Sequence, residues 1–194
     1  MDYTLLKFFH ILGAILIGSG LIGVWITDLR ARQLVGLETF AEAVRAIAVF
    51  YDGLVIPGAM ALGVSGAFMI ARSYGGWSFV HVPWLAGMVA LFLFEFVEGN
   101  TITRRYFTRL RRLTQEALDR GRFTPELRAA RGETVATFAH FLDLPMLFVI
   151  VLLGAMQPAS WTTFLIGASA AVATATVLTV TIPKLYPWTV EAVA

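Results

Sequence analysis

Ionisable side chains inside otherwise apolar stretches are the residues of this sequence that could do chemistry. His140 and Asp143 stand three residues apart in TVATFAHFLDLPMLFVIVLLGAM, so they share one face of a helix. Glu95 and Asp52 are embedded in two other apolar stretches. Carboxylates and imidazoles bind divalent metals and carry protons inside membranes. The pattern therefore predicts a metal or proton site with four members: Asp52, Glu95, His140 and Asp143.

Structural salt bridges are the alternative explanation for these buried carboxylates. Long arginine side chains could reach inward and pair with them. The arginines placed to do so are Arg45, Arg104 and Arg105. Two further acidic residues stand at the ends of apolar stretches. Glu98 is therefore interpreted as an interfacial residue, and Asp28 as the end of the first stretch.

A second candidate site surrounds His10 in the first apolar stretch, LLKFFHILGAILIGSGLIGVWIT. Its helix face also carries Gly13, Ile17 and Gly20. Glycines beside a histidine leave space for a flat macrocycle, and neutral imidazole is a common haem ligand. His10 and His140 are thus predicted to bind a cofactor, either haem b or a divalent metal. The alternative is that the glycines serve helix packing and that His10 hydrogen-bonds a neighbouring helix.

The composition is that of a membrane domain: 58% of the residues are hydrophobic, 14% are charged, and the mean hydropathy is +0.74. A soluble enzyme is excluded. The net charge is only +2, and no basic stretch is interleaved with aromatic residues, so a nucleic-acid partner is not expected. The chain has no cysteine, which excludes disulfides and thiolate metal sites.

The apolar stretches predict the elements that position the candidate residues. We expect an all-α, multi-pass transmembrane bundle in one domain, residues 1–194. Each span needs about 20 apolar residues. The five predicted spans are 3–27, 46–70, 80–99, 134–156 and 161–182. Three- and four-residue spacing of apolar residues beyond Asn100 predicts that the third helix continues into water. Thr124-Pro125-Glu126 predicts the start of another helix, which could run unbroken into the fourth span.

The distribution of arginines predicts the orientation, because short loops rich in Lys and Arg stay in the cytoplasm. The segment after the third span holds nine arginines between Arg104 and Arg131. The amino terminus is then outside and the carboxyl terminus is cytoplasmic. The extensions of spans three and four form an arginine-rich cytoplasmic surface, suited to anionic headgroups or to a partner protein. Its predicted members are Arg104, Arg105, Arg109, Arg111 and Arg112.

Two segments carry a resemblance to known families: LLKFFHILGAILIGSGLIG and ATFAHFLDLPMLFVIVLLGAM. They resemble a bacterial family of predicted integral membrane proteins, domain of unknown function 2269, over most of the chain through Met156. More distantly, the LLK-x-x-H opening is similar to that of the protoporphyrinogen-oxidising haem-biosynthesis membrane protein and of the copper-resistance D family. The first of these implies a haem-binding role for His10 alone. The resemblance implies a location in the bacterial inner membrane.

Three functions follow as hypotheses, and whether the protein is an enzyme stays open. The first is a protein that binds b-type haem or a metal for electron transfer or haem-linked redox chemistry. The second is a proton- or cation-coupled transporter that uses the carboxylate and histidine cluster. The third is an accessory subunit of a larger membrane complex. The expected partners are the lipid bilayer and either other membrane proteins or further copies of this chain, since small residues on helix faces favour association.

Overall fold

The computed structural model describes residues 2–188, and every regular element among them is helical. We number the α-helices in chain order. They are α1 (Tyr3–Gln33), α2 (Leu37–Phe50), α3 (Ile56–Ser73), α4 (Pro83–Glu98), α5 (Arg104–Asp119), α6 (Pro125–Arg131), α7 (Thr134–Met156) and α8 (Thr162–Leu185). A short 3₁₀ helix, Gly76–His81, lies between α3 and α4.

Two π-helical turns join helices that would otherwise be separate. Tyr51–Val55 joins α2 to α3, and Gly99–Thr103 joins α4 to α5. The helical segments Leu37–Ser73 and Pro83–Asp119 are therefore continuous, and each is 37 residues long. With α1, α7 and α8 they make five helices long and apolar enough to cross a membrane. The all-α bundle of five spans is confirmed.

Several predicted boundaries differ from the observed ones. The first helix does not end near Thr27 but continues to Gln33, because Asp28 and Arg32 form a buried ion pair one turn apart. The third helix continues past Asn100, as predicted. A helix begins after Thr124, whose hydroxyl accepts a hydrogen bond from the Leu127 amide, but it stops at Arg131 instead of running into α7.

Helix α7 is the centre of the bundle. In α7, 72% of the most apolar stretch is buried inside the molecule, whereas the buried share of the corresponding stretch in the other four spans lies between 11% and 28%. It packs against α8, α4 and α1, and its carboxyl half shares an apolar core with Leu91 of α4 and Ala175 of α8. The large apolar side chains exposed on the outer helices are left to contact lipid.

Helices α1 and α3 cross at backbone contact. A Cβ atom added to Gly13 would lie 2.7 Å from the Leu62 nitrogen and 2.8 Å from the Gly58 oxygen. A Cβ on Gly58 would lie 2.8 Å from the Ile17 nitrogen. Only glycine permits this approach, which is typical of helix pairs in membranes.

One end of the bundle has a core of its own. Helices α2, α5 and α6 pack there against the last turns of α1, around the buried side chains of Phe40, Ile47, Ala117 and Leu127. The Trp188 ring closes this core, lying 6.0 Å from Phe40 and donating a hydrogen bond to the Arg131 carbonyl. This arrangement fixes α5, with its arginines, beside the α2–α3 junction.

Candidate functional site

Three carboxylates meet inside the bundle. Glu95 and Glu98 lie one turn apart on α4, and Asp143 faces them from α7. One oxygen atom from each side chain lies within 4.8 Å of the other two. Asp143 is 5% exposed and Glu98 is 7% exposed, while Glu95 is half-buried. The chain thus gathers three acidic groups at a depth where each alone is costly.

These carboxylates lack the partners that buried charges usually have. Glu95 Oε1, Glu98 Oε2 and Asp143 Oδ2 are buried without a hydrogen-bond partner. The other Glu98 oxygen accepts a hydrogen bond of 2.9 Å from the Thr103 hydroxyl. Within residues 2–188, no Lys or Arg nitrogen comes within 4.0 Å of the three groups. The salt-bridge explanation therefore does not account for them.

The two π-helical turns border this carboxylate cluster. Tyr51, the first residue of one turn, donates a hydrogen bond of 2.9 Å to the carbonyl of Gly99, the first residue of the other. A Cβ on Gly99 would lie 2.9 Å from the Tyr51 hydroxyl oxygen, so glycine makes this contact possible. Single π turns within α-helices are frequent at functional sites.

A cavity of about 200 Å³ opens beside the cluster. Glu95, Asp143, Tyr51 and Asn100 provide its polar lining, and the remaining walls are apolar. This volume has room for several water molecules, each of which occupies about 30 Å³ in the liquid. The exposed side chains of Met60 on α3 and Phe96 on α4 also border it, so the cavity reaches the lipid-facing surface between these helices.

Two predicted members of the site lie elsewhere, and one unpredicted residue takes part. Asp52 is not in the carboxylate cluster: its side chain is 54% exposed, and its Oδ1 lies 3.8 Å from the Arg104 Nε. Glu98 is not interfacial but buried in the cluster. The Glu-x-x-Glu spacing with Glu95 is the signal that could have identified Glu98, since residues three apart share a helix face.

His140 also lies apart from the cluster, in a separate pocket between α1, α5 and α7. Its side chain is almost fully buried, its Nε2 is 4.0 Å from Asp28 Oδ2, and neither ring nitrogen has a hydrogen-bond partner. The ring packs against Trp25, Phe107 and Phe141. His140 is thus one helical turn from Asp143, but its ring lies among residues of α1 and α5 and not at the carboxylate cluster.

Asp28, interpreted from the sequence as a mere helix end, anchors this second pocket. Its Oδ2 accepts a hydrogen bond of 2.9 Å from Arg32 Nε, and both side chains are buried. The Arg32 guanidinium lies 4.6 Å from the centre of the Trp188 ring. Charge neutralisation and aromatic contact explain why this pair can be buried.

His10 hydrogen-bonds the neighbouring helix. Its Nδ1 lies 3.2 Å from the Ser65 oxygen, and the Ser65 hydroxyl in turn donates to the Ala61 carbonyl. The glycine face beside His10 is filled by protein: α3 covers Gly13, and Val55 covers Gly20. The structure therefore shows the alternative arrangement, in which the glycines serve helix packing and His10 hydrogen-bonds a neighbouring helix.

A haem does not fit between the two predicted ligands. His140 contacts Trp25, which lies roughly 22 Å along α1 from His10 at the helical rise per residue. The surroundings of each ring are also occupied, by α3 at His10 and by aromatic side chains at His140. Haem binding therefore stays a prediction from the sequence, one that the packing does not favour.

The predicted basic surface forms an open groove of about 650 Å³ at the start of α5. Its lining comprises Asp52, Asn100, Arg104, Arg105, Thr108, Arg109, Arg111 and Arg112. Two of the arginines pair with acidic residues outside the groove, Arg109 with Glu133 and Arg112 with Glu116. Asn100 lines both this groove and the cavity beside the carboxylates.

Comparison with known proteins supports the membrane assignment and adds no ligand. A family model described as "Predicted integral membrane protein (DUF2269)" matches residues 4–158, which include the carboxylate cluster, both histidine pockets and the basic groove. No curated protein and no solved structure matches the chain.

Proposed function

Because the chain belongs to this family of integral membrane proteins, we propose that it binds a cation inside the bilayer at Glu95, Glu98 and Asp143. The observation that carries the proposal is the meeting of three unpartnered carboxylate oxygens beside one cavity. The protein then acts as a proton- or cation-coupled transporter, with these carboxylates as the coupling site.

Charge balance supports a cation at this position. Three carboxylates within 4.8 Å of one another, with no basic partner in the described chain, repel each other strongly when ionised. Burying an unpaired charge costs several kcal/mol, which protons or a bound cation would remove. Carboxylate oxygens bind both protons and hard divalent ions.

The surroundings of the cluster favour reversible ion binding over a purely structural role for the three carboxylates. The cavity gives Glu95 and Asp143 space for water or a hydrated ion. The π turn Gly99–Thr103 follows Glu98 directly, and rearrangement of one such turn rotates the residues that it carries. Transporters commonly place coupling ions where a membrane helix departs from regular α-helical geometry.

Proton flux into proteoliposomes tests the proposal. A potassium diffusion potential, negative inside, drives proton entry, and an entrapped pH-sensitive dye records it. We expect uptake by the wild-type protein and loss of that uptake in Asp143→Asn. The matched control is Asp52→Asn, the same chemical change at an exposed carboxylate outside the cluster, which should keep wild-type uptake.

Manganese binding distinguishes a divalent ion from a proton. Mn²⁺ serves as the probe because it is a hard, oxygen-seeking ion whose electron paramagnetic resonance reports binding. A divalent site predicts wild-type binding that Glu95→Gln abolishes and Asp52→Asn leaves intact. Wild-type protein that neither takes up protons nor binds Mn²⁺, or an Asp143→Asn variant equal to wild type in both assays, contradicts the proposal.

A further inference from the structure

The basic groove at the start of α5 has guanidinium groups that the protein itself does not neutralise. Arg105 and Arg111 form no ion pair with any described residue. Arg104 faces Asp52 at 3.8 Å, which is too long for a hydrogen bond. The groove therefore carries a surplus of positive charge and suits a ligand with several anionic oxygens.

Position along the helix places this groove at the level of lipid headgroups. It begins at Asn100, just past the apolar part of α4, and ends at Arg112, about 18 Å further along the helix. The polar headgroup layer begins where the hydrocarbon ends and is several ångströms thick. Arg104 and Arg105 thus lie about 6–8 Å beyond Asn100, where phosphate groups are found, and Arg111 lies further out, on the aqueous side of the headgroup layer.

The apolar mouth of the cavity next to the groove provides a place for an acyl chain. Asn100 lines both spaces, so they adjoin at the π turn Gly99–Thr103. On the other side, the cavity reaches lipid between the exposed side chains of Met60 and Phe96. A ligand with an anionic head and an apolar tail matches both the basic groove and the apolar mouth of the cavity. A free phosphate ion would contact only the groove.

We propose that the groove formed by Asn100, Arg104, Arg105, Thr108 and Arg111 binds the phosphate headgroup of an anionic membrane lipid, with its acyl chain at the mouth of the cavity. The arginines supply charge and donors to the phosphate oxygens. The Thr108 hydroxyl adds a neutral donor, and the Asn100 amide, which donates one hydrogen to the Phe96 carbonyl, has a second hydrogen to donate. This site does not depend on cation binding at the carboxylate cluster.

Native mass spectrometry of the purified protein tests the lipid site. The full chain is mixed with equal amounts of phosphatidylglycerol and phosphatidylcholine that carry identical acyl chains, and the retained lipid is identified. We expect preferential retention of phosphatidylglycerol by the wild type. Arg105→Gln with Arg111→Gln should reduce that preference by roughly thirtyfold, the product of two arginine contacts at an anionic headgroup.

The control removes the same charge from the same hairpin. Arg120→Gln with Arg122→Gln changes two exposed arginines that lie outside the groove, and should keep the wild-type preference. Circular dichroism verifies that all variants keep their helices. Equal phosphatidylglycerol retention by wild type and groove variant overturns the proposal, as does equal loss in the control pair. Displacement of the lipid by an equal concentration of inorganic phosphate also overturns it and assigns the groove to a soluble anion.

Discussion

At the scale of single residues, the molecule separates two kinds of buried charge. Asp28 is neutralised by Arg32 within its own helix, whereas Glu95, Glu98 and Asp143 have no basic partner among the described residues. The first kind is explained by stability, because the pair balances its own charge. The second kind needs a ligand or protons, and it is the kind that indicates function.

Removal of Arg32 should destabilise the protein severely. Arg32→Leu leaves Asp28 charged, buried and unpaired, which costs about 3–5 kcal/mol. Asp28→Asn combined with Arg32→Leu should recover most of that loss. The midpoint of thermal unfolding in detergent reports both effects. Arg45→Leu breaks an exposed ion pair with Glu42 and should cost at most about 1 kcal/mol, so an equal loss at Arg45 and Arg32 would contradict this explanation.

Absorption spectroscopy tests haem binding directly. Because the environments of His10 and His140 are filled, we expect protein produced in haem-replete cells to show no Soret band, oxidised or dithionite-reduced. A Soret band that disappears in His10→Ala would restore the prediction drawn from the LLK-x-x-H opening. Elemental analysis of the same sample would report any co-purified metal.

At the scale of elements, the bundle depends on the crossing of α1 and α3. Gly58→Ala places a Cβ 2.8 Å from a backbone nitrogen, which a side-chain rotation cannot relieve. Forcing the two helices apart should cost about 1–3 kcal/mol. Gly53→Ala is the matched control, because a Cβ there meets nothing within 4 Å. Thermal unfolding of both variants measures the difference, and similar midpoints would show that the crossing is not limiting.

The π turns explain which site residues could be predicted from the sequence and which could not. Glu95 and Asp143 were predictable because each lies within a regular α-helix, where apolar surroundings and spacing define a face. Asp52 lies inside the turn Tyr51–Val55, where the extra residue shifts the helical phase, so α-helical spacing assigned its side chain to the wrong face. Glu98 was misjudged because the apolar stretch ends at Gly99-Asn100, which assigned the Glu98 side chain to the membrane interface.

At the scale of the whole molecule, the number and order of the spans were predictable because apolar length alone fixes them. The neighbours of each helix could not be predicted, since sequence periodicity does not say which helix faces which. His140 illustrates this difference. Its position in the fourth span was correct, but the partners that surround it come from α1 and α5.

Cysteine labelling tests the predicted orientation. The chain has no cysteine, so Ser78→Cys and Gln115→Cys each introduce a single reporter into a thiol-free background. With the amino terminus outside, a membrane-impermeant maleimide should label Ser78→Cys in intact cells and Gln115→Cys only after permeabilisation. The reverse pattern would place the arginine-rich end of the bundle outside.

The burial of α7 has a consequence for biosynthesis. It is the fourth span to leave the ribosome, so the helices that surround His140 and Asp143 precede it, apart from α8, which covers another side. An aspartate facing lipid at the centre of a lone helix costs about 2.5–3.5 kcal/mol at insertion. A nascent α7 can avoid this cost by entering directly between partners already in the membrane. Chain order and burial are thus matched, because the span that is most buried by other helices is inserted after most of its partners are already in the membrane.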